Sequence, residues 1–175
     1  MGRQYWEETM AWAVASGTAV ANTTTETIIF PNVTIPANFM ADGRVLHLRA
    51  QGQHSTTATP TLIFRVRWGG VSGTVIGLSP TFTTGSGVTA NLWEVDVLIQ
   101  TRTNGATGTV VCIGAVNCVG ATVPASLMCV GGSATPAATT VDLTADTALS
   151  LTCQWGTANA SNTLTGWNYI LNARN

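Results

Sequence analysis

Two neighbouring stretches of the sequence decide the fold: GRVLHLRA at residues 43–50 and PTLIFRVRWGG at residues 60–70. In the second stretch, large apolar residues occupy every second position from Leu62 to Trp68, with two arginines among the residues between them. The first stretch alternates in the same way. Alternation with a period of two is typical of strands that have one buried and one wet face. With the Thr-rich turn at residues 55–59 between them, the two strands are predicted to pair antiparallel and to carry the rest of the fold.

Strand signals of this kind recur to the end of the chain. The longest runs over residues 91–103, and Asn104-Gly105 directly after it predicts a hairpin. No interval shows helical spacing over more than a turn or two. About nine or ten strands, separated by turn signals, indicate an all-β fold. We expect a two-sheet antiparallel β-sandwich, with a jelly roll as its connectivity and an N-terminal arm.

The N-terminal residues 1–16 differ from the remaining single domain, residues 17–175. They hold two of the six tryptophans and few strand-forming residues. An aromatic arm of this kind is expected to be held against its own domain or against a neighbouring chain. We assign it to contacts with neighbouring chains, with Tyr5, Trp6 and Trp12 as the candidate interface residues.

The charge content of this 175-residue chain excludes several classes of partner. Charged residues are 9% of the total, against about 25% in an average soluble domain, and all seven basic residues are arginines. The net charge of −1 argues against nucleic acid and against an anionic membrane surface. No run approaches the ~20 apolar residues of a transmembrane helix. A surface with so little charge is expected to be partly covered by other copies, which predicts a homo-oligomer.

Two carboxylates, Glu94 and Asp96, lie two residues apart on one face of a predicted strand. Their expected separation of roughly 6–7 Å suits a glycosidase acid pair. Arg65 and Arg67 have the same spacing on another strand, so the alternative is a set of cross-strand ion pairs between the two arginines and the two acids. In a chain with few charges, the matched spacing favours the ion pairs. We therefore predict no enzymatic activity.

No other constellation predicts a catalytic, cofactor or metal site. Neither His47 nor His54 has a carboxylate or cysteine at a recognisable ligand spacing. Asp142 and Asp146 flank a turn, but the Thr and Ala around them supply no further charged oxygen for calcium. No nucleophile–histidine–acid set, Gly-rich phosphate loop or HExxH motif is legible.

The cysteines leave two possibilities, two disulfides in one of three connectivities or buried free thiols. No CxxC pair occurs, and the N-terminus lacks a basic region followed by an apolar stretch, so no secretory signal is expected. Free thiols are therefore favoured. The four cysteines are Cys112, Cys118, Cys129 and Cys153.

Four strand tryptophans are candidates either for an aromatic sugar platform or for the core. Each falls on the apolar phase of its predicted strand, which favours the core. In the last strand, Trp167, Tyr169 and Leu171 are predicted to share one face. The other three are Trp68, Trp93 and Trp155.

Three motifs resemble a segment of tailed-bacteriophage virion proteins: TIPANF at 34–39, GRVLHLRA at 43–50 and TPTLIFRVRWGG at 59–70. That segment has the pattern IPAN…GRVLRL.A.G..STT.TPTL.FRLR.GG, and the resemblance covers roughly residues 25–120. It implies a β-rich, commonly jelly-roll-like structural subunit, such as a capsid decoration (cement) protein, head fibre or tail component. It brings no catalytic residues. The tryptophan-bearing arm and the cysteines depart from the pattern.

The resemblance leads to two functional expectations. The first is a capsid decoration protein on the virion surface, assembled in the host cytoplasm as a homotrimer that binds the major capsid protein through residues 1–16. The alternative is a receptor- or glycan-binding module of a head fibre or tail. Exposed aromatic residues in the loops at 80–90 and 131–138 would support it, and only Phe82 is present there. Two observations discriminate between these functions: where the tryptophans lie, and whether residues 1–16 contact another chain.

Overall fold

The computed structural model describes residues 6–129 and 136–175, in which every regular element is a β-strand and every strand pairing is antiparallel. This confirms the predicted all-β class. The strands are β1 (Glu7–Trp12), β2 (Val20–Ala21), β3 (Thr27–Ile28), β4 (Val33–Ile35), β5 (Val45–Ser55), β6 (Thr61–Trp68), β7 (Thr74–Leu78), β8 (Phe82–Thr83), β9 (Asn91–Thr103), β10 (Gly108–Cys118), β11 (Ala125–Cys129), β12 (Thr139–Val141), β13 (Thr147–Trp155) and β14 (Thr163–Arg174).

The strands form one continuous path, β1-β14-β5-β9-β10-β11-β7-β6-β13-β3. The four remaining strands, β2, β4, β8 and β12, each pair with one strand of this path. The path folds over on itself. The rings of Phe64 on β6 and Trp93 on β9 lie 5.3 Å apart although three strands separate β6 from β9 along the path. We call β1, β14, β5, β9, β10 and β11 the first layer, and β7, β6, β13, β3 and β4 the second. The arrangement is consistent with the expected β-sandwich, and jelly-roll connectivity stays a prediction.

The predicted pairing of the two founding strands with each other is wrong. β5 lies between β14 and β9, whereas β6 lies between β13 and β7. The turn between them carries the chain from one layer to the other instead of closing a hairpin. The hairpin predicted at Asn104-Gly105 is confirmed, since β9 and β10 pair directly around it.

The core lies between the layers and is built by the alternation that the sequence shows. Residues of β6 and β13 face residues of β5, β9 and β10, all nearly inaccessible to solvent. Three of the strand tryptophans belong to this core, as predicted. Each indole N–H donates to a backbone carbonyl: Trp68 to Asp142 at 3.1 Å, Trp93 to Thr165 at 3.2 Å and Trp155 to Val20 at 3.3 Å.

The described part of the N-terminal arm packs on its own domain. Residues 7–12 form β1, which pairs with β14, and Trp6 packs against the core with the Arg44 guanidinium 5.5 Å from its ring centroid. Trp12 is 64% exposed. Trp6 is therefore held against its own domain, which is one of the two arrangements expected for the arm. Contact of Trp12 with a neighbouring chain stays a prediction. Tyr5 lies outside the described residues.

The predicted ion pairs between the two arginines and the two acids are wrong. Arg65 and Arg67 both pair with Glu26, at 3.2 and 2.5 Å, whereas Glu94 and Asp96 pair with side chains of β5. The reason is topological. β6 and β9 belong to different layers, so their polar faces point to opposite sides of the molecule.

Candidate functional site

A belt of paired polar side chains crosses the middle of the outer face of the first layer. His47 Nε2 lies 2.7 Å from Asp96 Oδ1, and Arg49 donates from Nε and Nη2 to Glu94 Oε1 at 3.0 and 2.8 Å. Gln51 donates to the same Glu94 oxygen at 2.8 Å. Register places these groups together, because Arg49 stands opposite Asp96 and Gln51 opposite Glu94 on the neighbouring strand. We call these five residues the polar belt.

The electrostatics of Glu94 do not suit the acid of a glycosidase pair. Hydrogen bonds from Arg49, Gln51 and Asn117 lower the pKa of the Glu94 carboxyl, and the one from Arg49 lowers it most. A general acid requires a raised pKa. Glu94 is therefore held as an ionised acceptor, oriented by its neighbours.

Apolar side chains flank the polar belt on both sides and are exposed. Leu98 and Ile113 stand opposite each other on β9 and β10, and Trp12 stands opposite Ile170 on β1 and β14. Leu127 on β11 stands opposite Ala115, two residues along β10 from Ile113, and is also exposed. We call these five residues the attachment band. Large exposed apolar groups that share one face are characteristic of an interaction surface.

A groove of about 640 Å³ opens at the end of this face, beside the loop that joins β10 to β11. Trp167 stands in its wall with 52% of its surface exposed, so the prediction that Trp167 belongs to the core is wrong. The residues that line it include Gln53, Leu92, Glu94, Val119, Trp167 and Asn168.

A β-bulge explains the exposure of Trp167. The register between β14 and β5 shifts between Gly166 and Asn168, which leaves Trp167 as the extra residue. The inward phase resumes at Tyr169, which is buried. Next to the bulge, the backbone of Gly166 packs closely on the Phe30 ring, because a Cβ there would lie 2.3 Å from that ring.

The floor of the groove is closely packed. Gly52 stands opposite Trp93 across β5 and β9, and a Cβ at Gly52 would lie 2.0 Å from the Thr165 carbonyl and 2.8 Å from the Trp93 indole. Only glycine fits there, and the large ring packs directly against its backbone. The hydrogen bond from Trp93 to Thr165 ties this floor to β14.

The remaining candidates from the sequence have structural roles. Asp142 Oδ1 accepts from the backbone N–H and the hydroxyl of Thr144 at 2.8 and 2.6 Å, and Asp146 accepts from the Ala37 N–H at 2.7 Å. Each caps a turn. Across residues 6–129 and 136–175, no group of three or more His, Cys, Asp or Glu side chains could hold a metal ion.

The buried thiols and one buried imidazole lie inside the core. All four cysteines are buried and free, as the sequence favoured. Burial raises the pKa of Cys112, Cys118 and Cys153 to about 12. His54 is fully buried with its Nε2 3.8 Å from the Cys118 sulfur, and desolvation lowers the pKa of its imidazole. These groups are shielded from reagents and ligands in solvent.

Sequence reasoning singled out two belt residues as ion-pair partners but missed the groove. Arg49 and Gln51 continue the polar phase of the founding stretch, and that alternation is the signal that could have placed them beside the acids. Gly166 inside a strand was the signal for the bulge.

Comparison of the chain with protein-family models, with curated proteins and with solved structures finds no match. Within the described residues there is no helix long and apolar enough to cross a membrane.

Proposed function

We propose that this chain is a non-enzymatic structural protein of a bacteriophage particle, a capsid decoration (cement) protein that binds the major capsid protein on the assembled shell. The observation that carries the proposal is the attachment band, which presents exposed Trp, Leu and Ile side chains on one face of the sheet. The phage-like motifs at residues 34–70 supply the class of partner.

The chemistry of the band suits attachment to a protein surface. Burial of its apolar side chains would contribute about 25 cal/mol for each Å² removed from water. The charges between its two flanks are already paired within the chain, so a partner need not neutralise them. Trp12 is the one residue of the predicted interface that is both described and freely exposed, and it belongs to this band.

Attachment of this kind stabilises the shell by mass action. A protein that binds the assembled lattice and not its dissociated subunits shifts the equilibrium towards the lattice. The proposed role therefore requires no catalytic group and places the protein on the outside of the virion after assembly in the host cytoplasm.

The proposal includes a homotrimer with jelly-roll connectivity. The chain passes from the first layer (β5) to the second (β6 and β7), back to the first (β9, β10 and β11), to the second again (β13) and ends in the first (β14), and these repeated crossings between the layers support a jelly roll. β1 and β3 end the described path, and edge strands are available for contacts that close into a ring.

Two measurements test the proposal. Light scattering should give three times the chain mass of 18.2 kDa. Sedimentation should carry the protein down with undecorated shells and leave it in the supernatant with dissociated capsid protein. Equal binding to shells and to dissociated capsid protein would contradict the cement role, and a monomer would contradict the trimer.

A further inference from the structure

The groove at the end of the outer face carries a second inference. We propose that it binds a neutral carbohydrate, with one pyranose ring stacked on the exposed indole of Trp167. This function goes beyond attachment to a shell and does not depend on it.

The dimensions of the groove suit a short saccharide. Its volume of about 640 Å³ falls within the range of small-molecule sites. It is open to solvent along one side of the sheet, as a site for part of a longer chain must be. The Gly52–Trp93 floor and the bulge at Trp167 fix its shape before any ligand arrives, which lowers the entropic cost of binding.

The lining of the groove is amphipathic in the way that a sugar is. A pyranose has an apolar C–H face and hydroxyls around its rim. Trp167, Leu92 and Val119 offer apolar surface, and a half-exposed indole stacks on such a face. The side-chain amides of Gln53 and Asn168 stand beside them, and each can both donate to and accept from a hydroxyl.

The charge of the groove selects neutral sugars. Glu94 lines it as an ionised carboxylate, held in place by Arg49, Gln51 and Asn117. A carboxylate accepts hydrogen bonds from sugar hydroxyls, and Arg49 already balances the charge of this one. No arginine or histidine lines the groove in the described part of the chain, so the groove offers no free cation to bind a uronic or sialic acid.

The groove and the far flank of the attachment band are separate. Leu92 in the groove and Leu98 in the band are six residues apart on β9, about 20 Å along the strand. The groove residues Trp167 and Gln53 and the band residues Leu98 and Ile113 are different side chains, so each surface can be altered by substitution without changing the other. Loss of carbohydrate binding and loss of shell attachment are therefore distinguishable outcomes.

The test follows the indole N–H signals of the ¹⁵N-labelled protein during titration with four neutral oligosaccharide probes: an α-glucan, a β-glucan, a mannan and an N-acetylglucosamine oligomer. At least one should shift the Trp167 signal with a Kd between roughly 10 μM and 10 mM. An oligogalacturonate should bind at least about tenfold more weakly. A silent Trp167 signal with all four neutral probes, or a preference for the acidic probe, would overturn the proposal.

Variants separate the stacking from unspecific effects. Trp167→Ala should weaken binding at least about tenfold, and Trp167→Phe should retain part of it. Gln53→Ala should weaken it several-fold. Trp12→Ala removes an equally exposed tryptophan outside the groove and should bind like the wild type. An unchanged Trp93 indole signal shows that each variant keeps the floor of the groove, and full binding by Trp167→Ala would overturn the assignment.

Discussion

Arg67 donates hydrogen bonds to both carboxylate oxygens of Glu26, with its Nε 2.5 Å from Oε1 and its Nη2 2.7 Å from Oε2. The pair joins the segment before β3 to the outer face of the second layer. Thr152 donates to Oε1 at 2.5 Å, and Arg65 lies 3.2 Å from Oε2. Because the carboxylate is largely shielded from water, removal of one partner of this pair costs more stability than removal of one partner of an exposed pair in the polar belt.

Removal of Glu26 should therefore destabilise the fold. Glu26→Ala leaves two shielded arginines without their acid, and we expect the free energy of unfolding to fall by about 2–4 kcal/mol. Urea denaturation measures it. Arg49→Ala, which breaks an exposed pair, is the matched control and should change stability much less. A smaller effect for Glu26→Ala than for Arg49→Ala would contradict the role given to this pair.

His54 should make the protein sensitive to mild acid. Desolvation lowers the pKa of its imidazole in the fold below the ordinary value of 6.5, so the unfolded chain binds a proton first. Stability then falls as the pH drops below about 6.5, with a slope of up to about 1.4 kcal/mol per pH unit. Urea denaturation between pH 8 and pH 5 measures the slope, and His54→Gln should remove it.

Glu26 gives a matched control with a different pH window. Burial by itself raises the pKa of its carboxyl, but the hydrogen bonds from Arg67 and Thr152 outweigh burial and lower it below 4.5. Its contribution is present above pH 4.5 and is lost as the pH falls through the lowered pKa. Glu26→Gln should keep the slope above pH 5. A wild-type protein whose stability is flat from pH 8 to pH 5 would contradict the buried imidazole.

The bulge that exposes Trp167 should depend on Gly166. A methyl group at this position would meet the Phe30 ring, so Gly166→Ala should cost about 1–3 kcal/mol of stability and shift the Trp167 indole signal. Asn168→Ala on the exposed side of the same bulge is the control and should change stability by less than about 0.5 kcal/mol. If Gly166→Ala is as stable as the wild type, the packing of Phe30 on the bulge is wrong.

The cysteines should not react with thiol reagents in the folded protein. At pH 8 a thiol with a pKa of about 12 is ionised in roughly one molecule in ten thousand, and burial blocks access to Cys112, Cys118 and Cys153. A thiol-reactive dye should label none of the four cysteines in the native state and all four after unfolding without reductant. Rapid native labelling, or fewer than four thiols after unfolding, would contradict the buried free thiols.

The sequence predicts which side of a strand faces the core better than it predicts which strands pair with each other. The period-two alternation correctly places Phe64 and Trp93 in the core, because the side of a strand on which a residue lies is a local property. Which strands become neighbours is decided by the whole chain. The founding strands therefore look like a hairpin and yet lie in different layers. Glu26, the true partner of Arg67, lies in a Thr-rich stretch with no pattern that marks it.

The groove could not be derived from alternation for a related reason. One extra residue in a strand shifts the inward-facing positions by one, so Leu164 and Gly166 face inward before the bulge and Tyr169 and Leu171 face inward after it. The alternation predicts Trp167 to be a core residue because it is in phase with Tyr169 and Leu171, which are core residues. The alternation of β5 shows that Arg49 and Gln51 face outward, but their meeting with Glu94 depends on the register of β5 against β9.

The most direct test of the proposed function is co-sedimentation of the purified protein with undecorated shells. Ile113→Asp, in the attachment band, is compared with Val71→Asp, which alters an exposed apolar residue of the turn between β6 and β7 in the second layer. The wild type and Val71→Asp should sediment with the shells equally well at about 50 and about 500 mM salt, because the band is apolar and its charges are paired internally. Ile113→Asp should stay in the supernatant. Attachment by folded Ile113→Asp equal to that of the wild type, or loss of wild-type attachment at the higher salt, would contradict an apolar docking face on the first layer.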